Sequence, residues 1–138
     1  DEDLIGNAER VGSYLIERLN GLKAKYPQII KDVRGSGFMV GLEFQDFSQT
    51  LPALLRPMVA LLDDKLKGSL SGFVGAELLR DHNVLVAFTE YNRNVIRLEP
   101  PLICGPEHVD EFITALDAVL ARGIVRIVRD FIGSQTKK

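Results

Sequence analysis

The spacing of apolar residues predicts a long helix at the start of the chain. Between residues 3 and 24, apolar side chains recur every three or four positions, which is the period of one buried helix face. The members of this stripe are Leu4, Ile5, Ala8, Val11, Leu15, Ile16, Leu19 and Leu22. Acidic residues at positions 1–3 suit the positive end of a helix, and Pro27 ends it because proline has no amide hydrogen to donate.

A second apolar stripe predicts a helix that begins at Pro106, since proline suits the first helical position. Its members are Val109, Phe112, Ile113, Leu116, Val119 and Leu120. Gly123 interrupts this helix, and the segment "IVRIVRDFI" is expected to resume it before a frayed polar tail "GSQTKK". Residues 123–138 are therefore interpreted as a C-terminal extension and tail.

Strand patterns occupy the middle of the chain. In "IIKDVRGSGFMVGLEF", residues 29–44, apolar and other positions alternate from Phe38 to Phe44, which predicts a strand with one better-buried face. A short helix over 72–82, a strand over 83–89 and a turn at 90–94 follow. The segment "NVIRLEPPL", residues 94–102, predicts a last strand, which Pro100 and Pro101 end because neither can donate a ladder hydrogen bond. Residues 45–70 contain two prolines and are interpreted as a surface excursion.

This order of elements predicts one α+β domain over residues 1–138. We expect a two-layer sandwich in which helices cover one face of a small, mainly antiparallel sheet of three or four strands.

Composition and charge exclude several classes of protein. The net charge of −2 is mixed in sign and leaves no basic footprint for nucleic acid. No apolar run reaches the roughly 20 residues of a membrane span, and no signal-peptide pattern opens the chain. The single cysteine, Cys104, cannot form an internal disulfide, which fits a cytoplasmic location. Because the first residue is Asp1 and not methionine, we expect either a processed chain or a piece of a longer protein.

One arginine is the strongest candidate for a functional residue. Arg97 lies within an apolar strand, where an unpaired buried charge is too costly, so an anionic partner is expected. That anion is either a ligand or an internal carboxylate. The glycines of "GSGFMVG" lead into a strand and not into a helix, which is the wrong context for a nucleotide loop. Cys104 has no neighbouring histidine in the sequence, and no metal-ligand spacing or Ser-His-Asp arrangement is present.

Three segments in order resemble a known family. "VRGSGFMVGLEF", "AELLRDHNVLV" and "NVIRLEPPL" look like the C-terminal part of class III aminotransferases. These are pyridoxal-phosphate enzymes of the aspartate-aminotransferase fold, and the group includes ornithine, acetylornithine, 4-aminobutyrate and putrescine transaminases. The resemblance covers about residues 4 to 121.

The resemblance implies a role for one residue and a setting for four others. The arginine of the family's last strand binds the carboxylate of the amino-acid or oxo-acid substrate, and the matching residue is Arg97. The resemblance places Gly35, Gly37, Pro100 and Pro101 as structural residues near the site. Without a substrate, Arg97 is expected to pair with a nearby glutamate, either at position 99 or at position 43, or with solvent.

The resemblance also implies what these residues lack. The family's Schiff-base lysine lies upstream in a large domain, and Lys23, Lys25 and Lys31 match no such motif. We therefore expect a C-terminal domain that holds no cofactor or metal, contains no catalytic residue and is inactive without the large domain of a homodimeric enzyme. The alternative is a free-standing α+β binding or dimerisation module without catalysis.

Overall fold

The computed structural model describes residues 3–45, 53, 54, 57, 70–84, 86–88, 94–101 and 104–136. Its helices and strands are α1 (Leu4–Lys25), β1 (Ile30–Ser36), β2 (Met39–Phe44), α2 (Leu70–His82), β3 (Ala87–Phe88), β4 (Val95–Leu98), α3 (Pro106–Leu120) and α4 (Ile124–Thr136). The predicted surface excursion at 45–70 lies outside the described residues, apart from its first and last residues and positions 53, 54 and 57.

The strands form one antiparallel sheet in the order β1-β2-β4-β3. Along β2, Val40, Leu42 and Phe44 are buried, whereas the alternating residues are more exposed, so the two faces of the sheet differ. We call the face with these three residues the core face and the opposite one the open face. The predicted α+β sandwich is confirmed, with four strands.

Helices cover the core face, and every helix contributes to a single buried cluster together with β1, β2 and β4. Helices α1 and α3 run in the same direction, and polar contacts line their seam. Near the end of α1, Tyr26 donates a hydrogen bond from its hydroxyl to Asp117 Oδ1 at 2.5 Å, and Lys25 Nζ lies 3.0 Å from the same oxygen. In the middle of α1, Tyr14 and Arg18 both donate hydrogen bonds to Asp110, at 2.6 Å and 2.9 Å.

Helix α1 begins where the sequence pattern predicts it. Asp3 caps the helix, because its side chain accepts a hydrogen bond from the Gly6 amide at 2.9 Å. Most of the predicted stripe is buried or partly buried, but Ile5 is 78% exposed, so its inclusion was wrong. No helix among the described residues is long and apolar enough to cross a membrane.

The prediction of a single strand over 29–44 is wrong, because this segment is a hairpin. β1 and β2 pair from Ile30 with Phe44 to Ser36 with Met39, and the chain turns through Gly37. Gly37 has φ +56° and Gly35 has φ +145°, backbone conformations that favour glycine. Helix α1 approaches this turn closely, since a Cβ on Gly12 would lie 2.0 Å from the Gly37 carbonyl oxygen.

The strand predicted over 83–89 is shorter, with β3 limited to Ala87–Phe88 in the described part of the chain. Asn83 belongs to the end of α2 because it adopts φ +56° there. The Val84 amide then donates to the Leu78 carbonyl at 3.0 Å, which satisfies one of the last carbonyl groups of the helix. Asparagine tolerates this left-handed position better than other residues with side chains.

The C-terminal extension is a packed helix. Gly123 adopts φ +81° between α3 and α4, which confirms the predicted interruption. α4 then continues to Thr136, so the first four residues of the tail predicted to fray are helical. Phe131 of α4 meets Phe73 of α2 edge-on, with ring centroids 5.0 Å apart, and both rings are buried. The extension therefore contributes to the core.

Alanine scanning of the hairpin glycines should separate two kinds of strain. Gly37→Ala should cost about 1 kcal/mol of unfolding free energy, because its φ is left-handed but its Cβ would enter open space. Gly35→Ala should cost about 2–3 kcal/mol, because a Cβ there would also lie 2.2 Å from the Met39 carbonyl oxygen. Urea unfolding of both variants measures this order.

The control for both is Gly21→Ala, which adds a methyl group in open space on α1. It should be neutral or stabilising, since alanine favours helix. Equal stability of the two hairpin variants and the wild type would contradict the strain assigned to the turn.

Candidate functional site

Arg97 lies at the centre of β4 on the open face of the sheet. It stands opposite Gly41 of β2 and Ala87 of β3, and Gly41 in turn stands opposite Arg34 of β1. These four residues form one row across the sheet, which we call the central row. The expectation that Arg97 is a buried charge is wrong, because its side chain is 50% exposed. The buried neighbours Ile96 and Leu98 point to the core face, and strand alternation turns Arg97 away from it.

The partner of Arg97 is Glu99, two residues further along the chain. Arg97 Nε lies 3.0 Å from Glu99 Oε1, and this is the one ion pair of Arg97 within the described part of the chain. Glu99 is itself 46% exposed. Of the expected partners, Glu99 pairs with Arg97, and the exposed part of the Arg97 side chain faces solvent. Glu43 pairs with Arg34 instead. An exposed pair of this kind contributes only about 0–1 kcal/mol, so an incoming anion can displace Glu99 at little cost.

Arg34, the other arginine of the central row, is held by two carboxylates. Its Nη1 lies 2.7 Å from Glu43 Oε1 and 3.1 Å from Asp32 Oδ2, and Lys31 Nζ lies 3.6 Å from Glu43 Oε2. Hydrogen bonds to Glu43 and then to Asp32 raise the pKa of Arg34. Sequence reasoning missed this network, although residues 32 and 34 share a strand face by simple alternation. Arg34 is satisfied internally, whereas Arg97 has a single weak partner.

The four residues expected near the site lie at one end of the sheet. Gly35 pairs with Val40, which pairs with Leu98, so the hairpin turn lies beside the end of β4. Pro100 and Pro101 follow that end, and the Pro101 carbonyl accepts a hydrogen bond from the Cys104 amide at 2.9 Å. The structure therefore brings the glycine turn and the proline pair to the end of β4 that directly follows Arg97. Whether they serve a substrate site there stays a prediction.

A cavity of about 610 Å³ opens at this end. Arg97, Glu99 and the two prolines line it, together with a mostly apolar set from the helices, from β3 and β4, and from the segments before β3 and α3: Leu15, Val84, Val86, Ala87, Leu98, Cys104, His108, Val109 and Phe112. Burial first and the nearby Glu107 carboxylate second raise the pKa of the Cys104 thiol, which disfavours the reactive thiolate form. His108 is exposed and accepts a hydrogen bond at Nδ1 from the Gly105 amide, as part of the start of α3.

None of the described residues that line the cavity is a lysine, so they do not fit the binding of pyridoxal phosphate as a Schiff base. Lys25 is paired with Asp117, and the hydrogen bond to Asp117 raises its pKa, whereas a Schiff-base lysine must lose its proton. Lys31 is paired with Glu43. No step through the cofactor is therefore assigned to these residues. Within the described ranges, no group of three or more His, Cys, Asp or Glu side chains could hold a metal ion.

A buried ionic cluster that sequence reasoning missed lies away from the central row. Glu77 of α2 is fully buried and pairs with Arg80 at 2.8 Å and with Arg122, which lies between α3 and α4. Arg122 also reaches Asp81 at 2.8 Å. Burial raises the pKa of Glu77, and the two arginines oppose that rise. The cluster connects α2 to the α3–α4 turn, so its role is structural.

Comparison with known proteins shows the family. The family model for aminotransferase class III matches residues 1–120, so the chain belongs to the class III aminotransferases. It is 35% identical over 114 residues to alanine–glyoxylate aminotransferase 2-like of Drosophila melanogaster, which covers 82% of this chain and 20% of that protein. It is 32% identical over 119 residues to acetylornithine aminotransferase of Parasynechococcus marenigrum, covering 86% of this chain and 23% of that protein.

A solved transaminase structure shares the fold of this chain over most of its length. The amine transaminase from an uncultivated Pseudomonas species, solved in the PLP-bound internal aldimine form, superposes with a TM-score of 0.59 at 29% identity. The match covers 87% of this chain and 24% of that chain. This chain thus spans about a fifth to a quarter of the length of these relatives.

Proposed function

We propose that this chain is the C-terminal domain of a longer class III aminotransferase, in which Arg97 binds the carboxylate of the amino-acid or 2-oxo-acid substrate. The observation that carries this proposal is the setting of Arg97. It stands exposed on the open face, between two small residues of the central row, with Glu99 as a weak partner. Family membership supplies the reaction class, and the setting of Arg97 supports its assignment as the anion-binding residue.

The chemistry of the guanidinium suits this role. Its planar fork can donate two parallel hydrogen bonds to a carboxylate, which fixes the orientation of the substrate as well as its charge. A position in the middle of a strand limits the motion of Arg97, because β2 and β3 pair with β4 on both sides. Glu99 holds the guanidinium until a substrate carboxylate replaces it.

The parts of the enzyme that bind the cofactor would lie in another region of the same protein. We place the Schiff-base lysine and the pyridoxal phosphate in a large domain of the same protein, where the cofactor supplies the electron sink for amino-group transfer. The proposed donor is of the ornithine, acetylornithine, diamine or omega-amino acid type, and the acceptor is a 2-oxo acid such as 2-oxoglutarate. The complete enzyme would be a cytoplasmic homodimer, and residues 1–138 alone would be inactive.

The rival function is a free-standing binding or dimerisation module. Family membership favours the enzyme, because the module requires no relation to aminotransferases. The genomic reading frame upstream of Asp1 separates the two. A large domain with a candidate Schiff-base lysine supports the enzyme, whereas a start codon directly before Asp1 supports the module.

The enzyme proposal predicts a sharp difference between the complete protein and this chain. The complete protein should retain pyridoxal phosphate through dialysis and transfer an amino group to 2-oxoglutarate. Residues 1–138 alone should fold, judged by circular dichroism, but should lose added pyridoxal phosphate on dialysis, because the proposed Schiff-base lysine belongs to the large domain and none of the described residues that line the cavity is a lysine. A borohydride-stable adduct on one specific lysine of the short chain would contradict this division of roles.

A further inference from the structure

Gly41 occupies the middle of the central row without a structural reason to be glycine. Its φ is not positive, in contrast to that of Gly35 and Gly37. A Cβ added to Gly41 would meet ordinary contacts, with Val95 Cγ1 at 3.6 Å and the nearest atoms of Arg34 at 3.9 Å. A glycine inside a strand weakens the strand, and it commonly marks a place that a ligand or another backbone approaches closely. Among the described residues, no backbone atom lies nearer to that Cβ position than the Arg34 carbonyl oxygen at 3.9 Å, so the space above Gly41 is open to a ligand.

The space that the missing side chain leaves lies directly beside Arg97. Arg97 and Gly41 are direct partners in the β2–β4 register, so their side-chain positions share the open face. Arg34 stands on the other side of Gly41, and neighbouring strands lie about 4.8 Å apart, which puts the two arginine Cα atoms roughly 10 Å from each other. Ala87, on the far side of Arg97, is also small and exposed.

The charges around this gap direct an anion to one side of it. Arg34 is compensated by Glu43 and Asp32, so it offers little attraction to a further carboxylate. Arg97 has only Glu99 within the described residues. A substrate carboxylate should therefore bind Arg97, and the carbon chain next to that carboxylate needs the floor of the sheet that a side chain at position 41 would cover.

We infer that Gly41 determines substrate fit in the transamination proposed above: the bare backbone of β2 forms the floor under the carboxylate end of the substrate held by Arg97. This inference rests on the proposed function and adds a size limit to it. Gly41 contributes no charge and no hydrogen-bonding side chain. Its role is to keep the space between Arg34 and Arg97 open.

The test measures KM and kcat for 2-oxoglutarate with the complete enzyme and graded substitutions. Gly41→Ala should raise KM roughly 10-fold, since one extra carbon in a fitted site has an effect of this size. Gly41→Val should raise KM about 100-fold, because displacement of a substrate by about 1 Å is enough for such a loss. Both variants should change kcat much less and should melt within a few degrees of the wild type, since the added Cβ meets no close contact.

Two further variants make each outcome decisive. Gly21→Ala, which also adds one methyl group but on the exposed side of α1, should leave KM unchanged. If Gly41→Val does not fold, Gly41→Ala alone decides. Folded Gly41 variants with a wild-type KM, alongside an Arg97→Ala variant with a raised KM, would overturn the inference and leave the proposed function intact. An unchanged KM in Arg97→Ala itself would overturn the proposed function, and the inference with it.

Discussion

Replacing Arg122 with alanine should lower the free energy of unfolding by about 3 kcal/mol at neutral pH. Glu77 is fully buried, and Arg122 is one of the two arginines that compensate its charge. Removal of one partner from a buried ion pair typically costs about 3–5 kcal/mol, because the other charge stays in the interior without compensation. The remaining contact of Glu77 with Arg80, at 2.8 Å, keeps the loss near the lower end of that range. Urea denaturation of residues 1–138 measures it.

Two variants test whether the buried charge is the cause. Adding Glu77→Gln to Arg122→Ala should recover part of the loss, since a neutral amide is less costly to bury than an uncompensated carboxylate. Arg126→Ala removes an arginine of α4 that is 65% exposed and lies 3.9 Å from Asp130, and it should change stability by less than about 0.5 kcal/mol. Equal losses from Arg122→Ala and Arg126→Ala would show that the cluster does not stabilise the fold.

The effect of Arg122→Ala should also depend on pH in a defined direction. Arg122 opposes the burial that raises the pKa of Glu77, so its removal raises that pKa further. A carboxyl whose folded pKa lies above its unfolded value destabilises the fold as pH rises through that range. Hydrogen bonds from Arg80 and then Arg122 lower the pKa of Asp81, and that stabilisation is lost as pH falls. The Glu77 effect makes the deficit of Arg122→Ala largest near pH 7 and smaller toward about pH 4, whereas the Asp81 effect reduces the deficit only below about pH 4.

Local patterns were enough to predict most elements and the class of the fold. The stripes of α1 and α3 and the alternation from Phe38 to Phe44 depend on periodicity, which a sequence displays directly. The hairpin was missed because β1 has no clean alternation: only Ile30 is buried, and its last three residues are exposed. The close approach of Gly12 to the turn at Gly37 links positions far apart in sequence, so no local pattern could reveal it.

The strand that carries Arg97 was predicted from the sequence, but the setting of its side chain was not. The position of Arg97 in β4 was predicted, whereas its burial was assumed from the apolar neighbours Ile96 and Leu98. Alternation with those two buried residues already placed Arg97 on the other face, and that signal was available in the sequence. The link between Glu77 and Arg122 was not available, since it joins two helical regions 45 residues apart. Gly41 could be recognised as a candidate site residue only from the strand register, which places it beside Arg97.

In the complete enzyme, Arg97→Ala should reduce the specificity constant for 2-oxoglutarate by roughly 30- to 4000-fold. This range corresponds to the loss of about 2–5 kcal/mol when one partner of a desolvated charge pair is removed. Arg97→Lys should lose less, because the ammonium keeps the charge but cannot form the bidentate fork. Single-turnover kinetics of the two half-reactions, with glutamate and with 2-oxoglutarate, measure both variants.

Stability should respond very differently from kinetics at this position. The Arg97–Glu99 pair is half exposed on both sides, and such pairs contribute about 0–1 kcal/mol, so Arg97→Ala should melt close to the wild type. Glu99→Gln removes the carboxylate that competes with the substrate for Arg97, and it should lower KM for 2-oxoglutarate by a few-fold. A destabilised Arg97→Ala variant with normal kinetics per folded molecule would show that Arg97 serves the fold and not the substrate.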